Sequence, residues 1–145
     1  MNEMYLKMIL ALPDEFFDGW EWQAGDKALS INDQYKRELL LLTTAPLKKL
    51  NSNDNVTLLF PHSVDGVTVE EYIFNLRPLP SQEQLQKKML LKNPNIDGLY
   101  HLHKIFDGWV TVYLIMNKFE NYNQAWLAFA VSIILNLEWN GEAWK

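Results

Sequence analysis

Few residues of this chain could react or bind a metal. His101-x-His103 is the only paired histidine. On a helix, positions i and i+2 point about 200° apart, so the two rings do not reach one metal; zinc-binding helices use i, i+4 for that reason. The apolar stripe around the pair is helical, so no metal site is expected. His62, beside Pro61, reads as a loop histidine. Asp14, Glu15, Asp18, Glu21 and Asp26 gather near Trp20 and Trp22. Carboxylates beside aromatic rings are what a sugar site uses, with two carboxyls flanking the scissile bond; the commoner origin of such a cluster is a solvated acidic face.

The chain has no cysteine, which excludes thiol nucleophiles, disulfides and Cys-ligated zinc and fits a reducing compartment. G-x-S-x-G, Walker A, G-x-G-x-x-G and Asp-rich calcium loops are absent. Ser30, Ser52, Ser63, Ser81 and Ser132 read as turn, cap or packing residues. No catalytic residue, cofactor or metal ligand is therefore expected, and the balance leans away from an enzyme. What remains is binding, and Trp20, Trp22, Trp139 and Trp144 are the residues that could form a binding surface, because indoles are enriched at interface hot spots.

The bulk properties bound the partner. With 145 residues, 48% apolar and 13% aromatic, one domain over residues 1–145 can bury a core unaided. A net charge of −5 disfavours nucleic acid, whose affinity comes from clustered Lys and Arg; Lys36-Arg37, Lys48-Lys49 and Lys87-Lys88 are scattered pairs. The first residues lack the basic start of a signal peptide. The longest apolar run, Ala125 to Leu137, falls short of the roughly 20 residues that span a bilayer. A cytoplasmic chain without a membrane segment is expected, with a protein partner or a homo-oligomer in place of nucleic acid or lipid.

The elements that would position these residues follow from periodicity. Met1, Met4, Tyr5, Met8, Ile9 and Leu12 form one helical stripe, stopped by Pro13. Gly19 to Gln23 and Lys27 to Ile31 read as strands joined by a Gly25-Asp26 turn. The run around Leu39 to Leu42 leans towards strand, residues 51–55 towards loop, and Val56 to Phe60 towards a strand ended by Pro61. Val64 to Val67 reads as a turn. Residues 69–76 fit either helix, capped by Thr68 and Glu71, or strand.

Beyond Pro80 the pattern is helical. Ser81 and Gln84 form a capping box opening a short surface helix that ends near Asn93. Leu99, Leu102, Phe106, Trp109, Tyr113 and Met116 then keep one stripe, in which Gly108 predicts a kink or a close approach. Asn121 caps a last helix that is apolar on two adjoining faces, Trp126, Phe129, Ala130, Ile133 and Leu137 on one and Leu127, Val131 and Ile134 on the other. Such a helix is expected at the centre of the core.

After it, Trp139 and Trp144 flank Asn140-Gly141. Either Gly141 caps the helix in a left-handed conformation, or the pair turns a hairpin setting Leu137 and Trp144 on one face. Both bring the indoles back to the globule, and a closing clasp is favoured over an open binding surface. The resulting expectation is an α+β fold: a small antiparallel sheet packed against a C-terminal helical pair, with short N-terminal and surface helices.

The segments "LPSQEQLQKKML" and "NQAWLAFAVSIILNLEWNGEAW", with Gly-Trp-x-Trp and Gly-Asp between Gly19 and Asp26, carry one resemblance. The chain resembles a group of small uncharacterised phage and prophage proteins of Gram-positive hosts, which show L-P-x-Q-x-Q-L-Q, then W-L-A-F, then W-N-G-E-x-W. "VSIIL" departs from the more polar, basic stretch of that group. The resemblance implies a phage-encoded accessory protein acting in the host cytoplasm by protein binding, and it carries no catalytic residue. A small-ligand or carbohydrate-binding module using Trp20, Trp22 and the nearby carboxylates is the alternative.

Overall fold

The structure, a computed structural model, describes the backbone of residues 3–31, 37–41, 48–52, 55–64, 67–73, 76–114 and 118–145, and the side chains of residues 3–29, 77–112 and 118–145. Helix α1 (Glu3–Leu10) leads through a 3-10 turn (Asp14–Phe17) to six strands: β1 (Lys27–Ile31), β2 (Arg37–Leu41), β3 (Lys48–Ser52), β4 (Asn55–Val64), β5 (Val67–Ile73) and β6 (Leu76–Pro78). Three helices follow: α2 (Gln82–Lys92), α3 (Gly98–Leu114) and α4 (Tyr122–Leu135). The class is α+β, as expected. The chain divides into two compact units, one of residues 1–16 with 80–145, the other of residues 17–79.

The helical unit is organised on α4, which lies against α1, α2 and α3. Every residue from Gln124 to Val131 is buried, the consequence of an apolar surface that runs most of the way round the helix. The ends of α4 are set by asparagine. Asn121 Oδ1 accepts from the Gln124 N–H at 3.0 Å, satisfying one of the free donors of the first turn, while Gln124 Oε1 accepts from the Glu120 N–H. At the other end Asn136 takes the left-handed conformation (φ 56°) and its N–H donates to the Ser132 carbonyl. Asparagine tolerates that region where most residues do not, so the cap comes at Asn136 and not at Gly141.

Helix α2 opens on the reciprocal Ser81–Gln84 box, both hydrogen bonds present. Though expected at the surface, it packs along α4 with Leu85, Gln86 and Met89 buried. Helix α1 buries Tyr5, Met8 and Ile9. The Tyr5 hydroxyl donates to the Pro80 carbonyl at 2.8 Å, pinning α1 to the start of the α2 segment, 75 residues away along the chain.

Burial pushes the Tyr5 phenol well above its ordinary value of 10.0. Because the folded value is the higher one, this group's contribution is intact below pH 10.0 and is lost as pH rises beyond it, when the unfolded chain ionises first. Tyr5→Phe is expected to cost about 1–3 kcal/mol at neutral pH by leaving the Pro80 carbonyl unpaired. In urea unfolding at increasing alkalinity, the gap between wild type and variant should narrow and close; a constant gap would contradict the burial argument.

In α3, Leu102 and Phe106 are buried as the stripe requires, but Leu99 in the first turn is half exposed. The expected kink at Gly108 is absent: α3 runs unbroken through it, and a Cβ there would meet nothing within 4 Å. Gly108→Ala is therefore expected to stabilise the protein by up to about 1 kcal/mol, read as a raised unfolding midpoint.

In the second unit both sheets are antiparallel and three-stranded, in the orders β2-β1-β6 and β3-β4-β5. β1 has the expected bounds, and the Leu-rich run is strand β2. Of residues 69–76, which fit helix or strand on pattern, 69–73 belong to strand β5, paired with β4 from Val64↔Val67 to Leu58↔Ile73, and Leu76 opens β6. Four expectations are corrected. His62, read as a loop histidine, lies in β4 opposite Val69. Pro61 does not end β4, which continues to Val64. Among the described residues, the pairing of β3 with β4 reaches Leu59 and the one strand partner of Pro61 is Glu70 of β5; a missing N–H is tolerated where a strand has a single neighbour. Asn51, Ser52 and Asn55 belong to strands and not to a loop, with Ser52 opposite Asn55. Gly19–Gln23 is not a strand: the Trp20 N–H turns back to the Phe17 carbonyl, and the Gln23 N–H goes to the Asp26 carboxylate at 2.9 Å. A local side-chain bond has taken a donor that a ladder would need. The expected turn at residues 65–66, Leu42 of the Leu-rich run, residues 53–54 of the expected loop, residues 74–75, and Met1 and Met116 of the helical stripes lie outside the described residues, as does the side chain of Tyr113.

Candidate functional site

The aromatic surplus of the helical unit is spent on one column of rings. Phe106 of α3 stacks on Trp126 of α4, with centroids 3.7 Å apart and planes at 12°. Trp109 stacks on Phe106 at 6.2 Å and on Phe119 at 5.8 Å. Phe129 leans on Phe106 and Trp109, each at 5.4 Å. His103 closes the far end, edge-on to Trp126 at 5.2 Å, and its Nε2 lies 3.3 Å from the buried Gln86 amide nitrogen. Gln86 donating that bond leaves the neutral ring's proton on Nδ1. His101 faces elsewhere: its Nδ1 accepts from the Asp97 N–H at 2.8 Å at the start of α3. The two histidines diverge as their spacing demands. Among the described residues, no three His, Asp or Glu side chains are grouped to hold a metal ion.

The tail forms a hairpin. Glu138 and Lys145 exchange two backbone hydrogen bonds of 2.9 Å, and the Asn140 N–H donates to the Ala143 carbonyl at 3.1 Å. Trp139 and Trp144 thus face each other as the intervening pair, the position at which cross-strand side chains come closest, with ring centroids 5.0 Å apart. The expected hairpin turned on Asn140 and Gly141 together, with Leu137 and Trp144 on one face. The register is shifted because Gly141, at φ +99°, fills the first central position of the two-residue loop, the glycine-first arrangement. Asn140 stands outside that loop and braces it, its Oδ1 accepting from the Glu142 and Ala143 N–H groups at 2.9 and 2.8 Å.

The hairpin is held to α1. Trp144 Nε1 donates to the Met8 carbonyl at 2.9 Å, and Lys7 Nζ meets Glu142 Oε2 at 2.9 Å. That ion pair is largely exposed, 46% and 82%, so it contributes little; the indole bond and ring burial do the holding. Trp139 is buried, and its Nε1 has no hydrogen-bond partner among the described residues. Trp139 lines a recess with Trp109, Phe119, Ser132 and Leu137, and Lys118 and Glu138 also border it. Its volume is about 10 Å³, enough for one water at most and far below the few hundred Å³ of a small-molecule site.

Trp20 and Trp22 do not alternate on a strand. They meet edge-to-face at 6.4 Å, beyond a Phe17–Trp20 pair at 6.3 Å, with the Arg77 guanidinium 5.4 Å from the Phe17 ring centre. Trp22 is buried and Trp20 half-buried, so the pair offers one partly open ring and not a two-ring sugar platform. Of the acidic cluster, Asp14, Glu15, Asp18 and Glu21 are exposed, whereas Asp26 is buried and engaged by the Gln23 N–H.

No family model, curated protein or solved structure matches the chain. The reading of function therefore rests on surface chemistry. Sequence reasoning missed the large apolar side chains that stay in water on the helical unit: Leu91, Leu99, Tyr100, Val112 and Tyr122, each at least half exposed. A signal for two of them was present, since Tyr100 and Val112 lie off the Leu99–Met116 stripe of α3. Among the described residues no helix is long and apolar enough to cross a membrane.

Proposed function

We propose that this chain is a small phage or prophage accessory protein that acts in the host cytoplasm by binding another protein, and that the helical unit carries the contact surface. The observation behind this reading is the exposure of Leu91 (76%), Tyr100 (75%), Tyr122 (62%) and Val112 (60%). Single exposed apolar residues are ordinary. Here, however, Leu91 lies in the last turn of α2 and Leu99 and Tyr100 in the first turn of α3, on either side of the short connection between them, and tyrosine supplies interface energy out of proportion to its number. The resemblance carried by residues 79–90 and 123–144 supports the phage origin, and the net charge of −5 favours a protein over a polyphosphate partner.

The test compares wild type with a Leu91→Ser, Tyr100→Ser double variant, first in capture from host lysate and then in light scattering for self-association. A protein, or a second copy, held by wild type and lost by the folded variant supports the reading. Identical capture by both, with both monomeric, would sink it.

A further inference from the structure

We infer that Asn140 is a site of spontaneous covalent modification, losing its side-chain amide through attack by the Gly141 nitrogen, and that the isoaspartyl product opens the C-terminal hairpin. Asn140-Gly141 is the only Asn-Gly pair in the sequence. Glycine has no Cβ to shield the nitrogen that must close a five-membered ring on the asparagine side chain. Among the described residues, none of the hydrogen bonds that build the turn uses the Gly141 N–H, so the nucleophile is not tied to an acceptor. Asn140 is exposed to water.

The turn also prepares the oxygen on which charge develops. Asn140 Oδ1 already accepts from two backbone N–H groups, those of Glu142 at 2.9 Å and Ala143 at 2.8 Å, the arrangement that stabilises a tetrahedral oxyanion. Lys7 Nζ, 3.4 Å from the Gly141 carbonyl, adds a positive charge nearby. Gly141 N gives its proton to hydroxide or water and bonds to Asn140 Cγ, and the displaced electron pair rests on Oδ1. As the carbonyl re-forms, the protonated amide nitrogen leaves as ammonia, giving a succinimide. Water then opens the ring, at Cγ to give aspartate or at the main-chain carbonyl to give isoaspartate. The net change is one water consumed and one ammonia released.

The two products differ in their effect on the hairpin. Aspartate keeps an oxygen where Oδ1 stood and preserves both N–H bonds. Isoaspartate routes the main chain through Cβ and Cγ, adding an atom between residues 140 and 141. The Asn140–Ala143 bond and the Trp139–Trp144 pairing do not survive that insertion together, and the Trp144 bond to the Met8 carbonyl is lost with them.

The experiment ages the full-length protein in mildly alkaline buffer, folded and in urea, and maps asparagine conversion by peptide mass spectrometry with fragmentation that separates aspartate from isoaspartate. Expected is that Asn140 converts before any other asparagine, at a rate in the folded protein no lower than in the unfolded chain. The isoaspartyl fraction should melt below the wild type, and an Asn140→Asp variant close to it. Earlier conversion elsewhere, or a folded-state rate about tenfold or more below the unfolded one, would overturn the site assignment. An isoaspartyl form that melts with the wild type would overturn the opening of the hairpin. Asn140→Ser, which keeps an acceptor oxygen but cannot form the ring, should lose the new acidic species.

Discussion

Trp126→Ala is expected to cost the protein about 3–5 kcal/mol, a third or more of the stability of an ordinary domain. Trp126 is 2% exposed and is the ring through which α3 and α4 meet: Phe106 lies flat on one side at 3.7 Å, and Phe129 and His103 meet it at steep angles. Truncation removes the transfer energy of the indole and leaves a cavity between two helices, which close packing cannot refill by side-chain adjustment alone. Trp126→Phe, which keeps a stacking face, should cost clearly less. Urea unfolding of the three proteins measures this. A loss under about 1 kcal/mol for the alanine variant would mean that the ring column is not what joins the helices.

The second large effect belongs to the tail. Deleting residues 139–145 is expected to lower stability by about 3 kcal/mol, mostly from the burial of Trp139, and unchanged thermal stability would refute the clasp. The point variants give a sharper check. The two rings face each other at 5.0 Å, so the costs of Trp139→Ala and Trp144→Ala should sum to more than that of their double variant, with the deletion setting the upper limit. The indole N–H groups separate the two rings. Trp144→Phe removes a bond to the Met8 carbonyl and leaves a lone acceptor, while Trp139→Phe removes a buried donor with no described partner, a group that is a burden where it stands. Trp144→Phe should therefore be the more harmful of the two, although Trp139 is the more buried.

Legibility in the sequence followed how local the determining physics is. The Ser81–Gln84 box, the Asn121 cap, the burial of Leu102 and Phe106 on α3 and the apolar girth of α4 are settled within a few residues, and all were readable. Strand β1 was readable to its bounds. The misreadings have distant or competing causes. Alternation at Trp20 and Trp22 suggested a strand, but the Asp26 carboxylate claimed the Gln23 amide. Pro61 looked like a strand end because nothing local reveals that β4 runs on opposite β5, with Pro61 facing Glu70. Residues 69–76 carry both a helical and a strand pattern, and for 69–73 the pairing with β4 decided between them. Of the proposed binding residues, the folding back of Trp139 and Trp144 was foreseen, but their register was not, because it depends on which residue of Asn140-Gly141 enters the loop. The exposure of Leu91, Tyr100, Val112 and Tyr122 depends on which faces of α2, α3 and α4 their neighbours cover, which no local pattern fixes.

The helical unit draws its first helix from before residue 17 and the rest from beyond residue 79, and this sets an order of events at the ribosome. Helix α4, against which α1 packs, begins more than a hundred codons after α1 ends, so α1 leaves the exit tunnel before α4 is made. Residues 17–79 have all their ladder partners within reach and can pair while synthesis continues; α1 has to wait. Its greasy face is therefore the part of the nascent chain most open to chaperones, and final docking is a late, long-range step whose closure entropy grows only slowly with the length spanned.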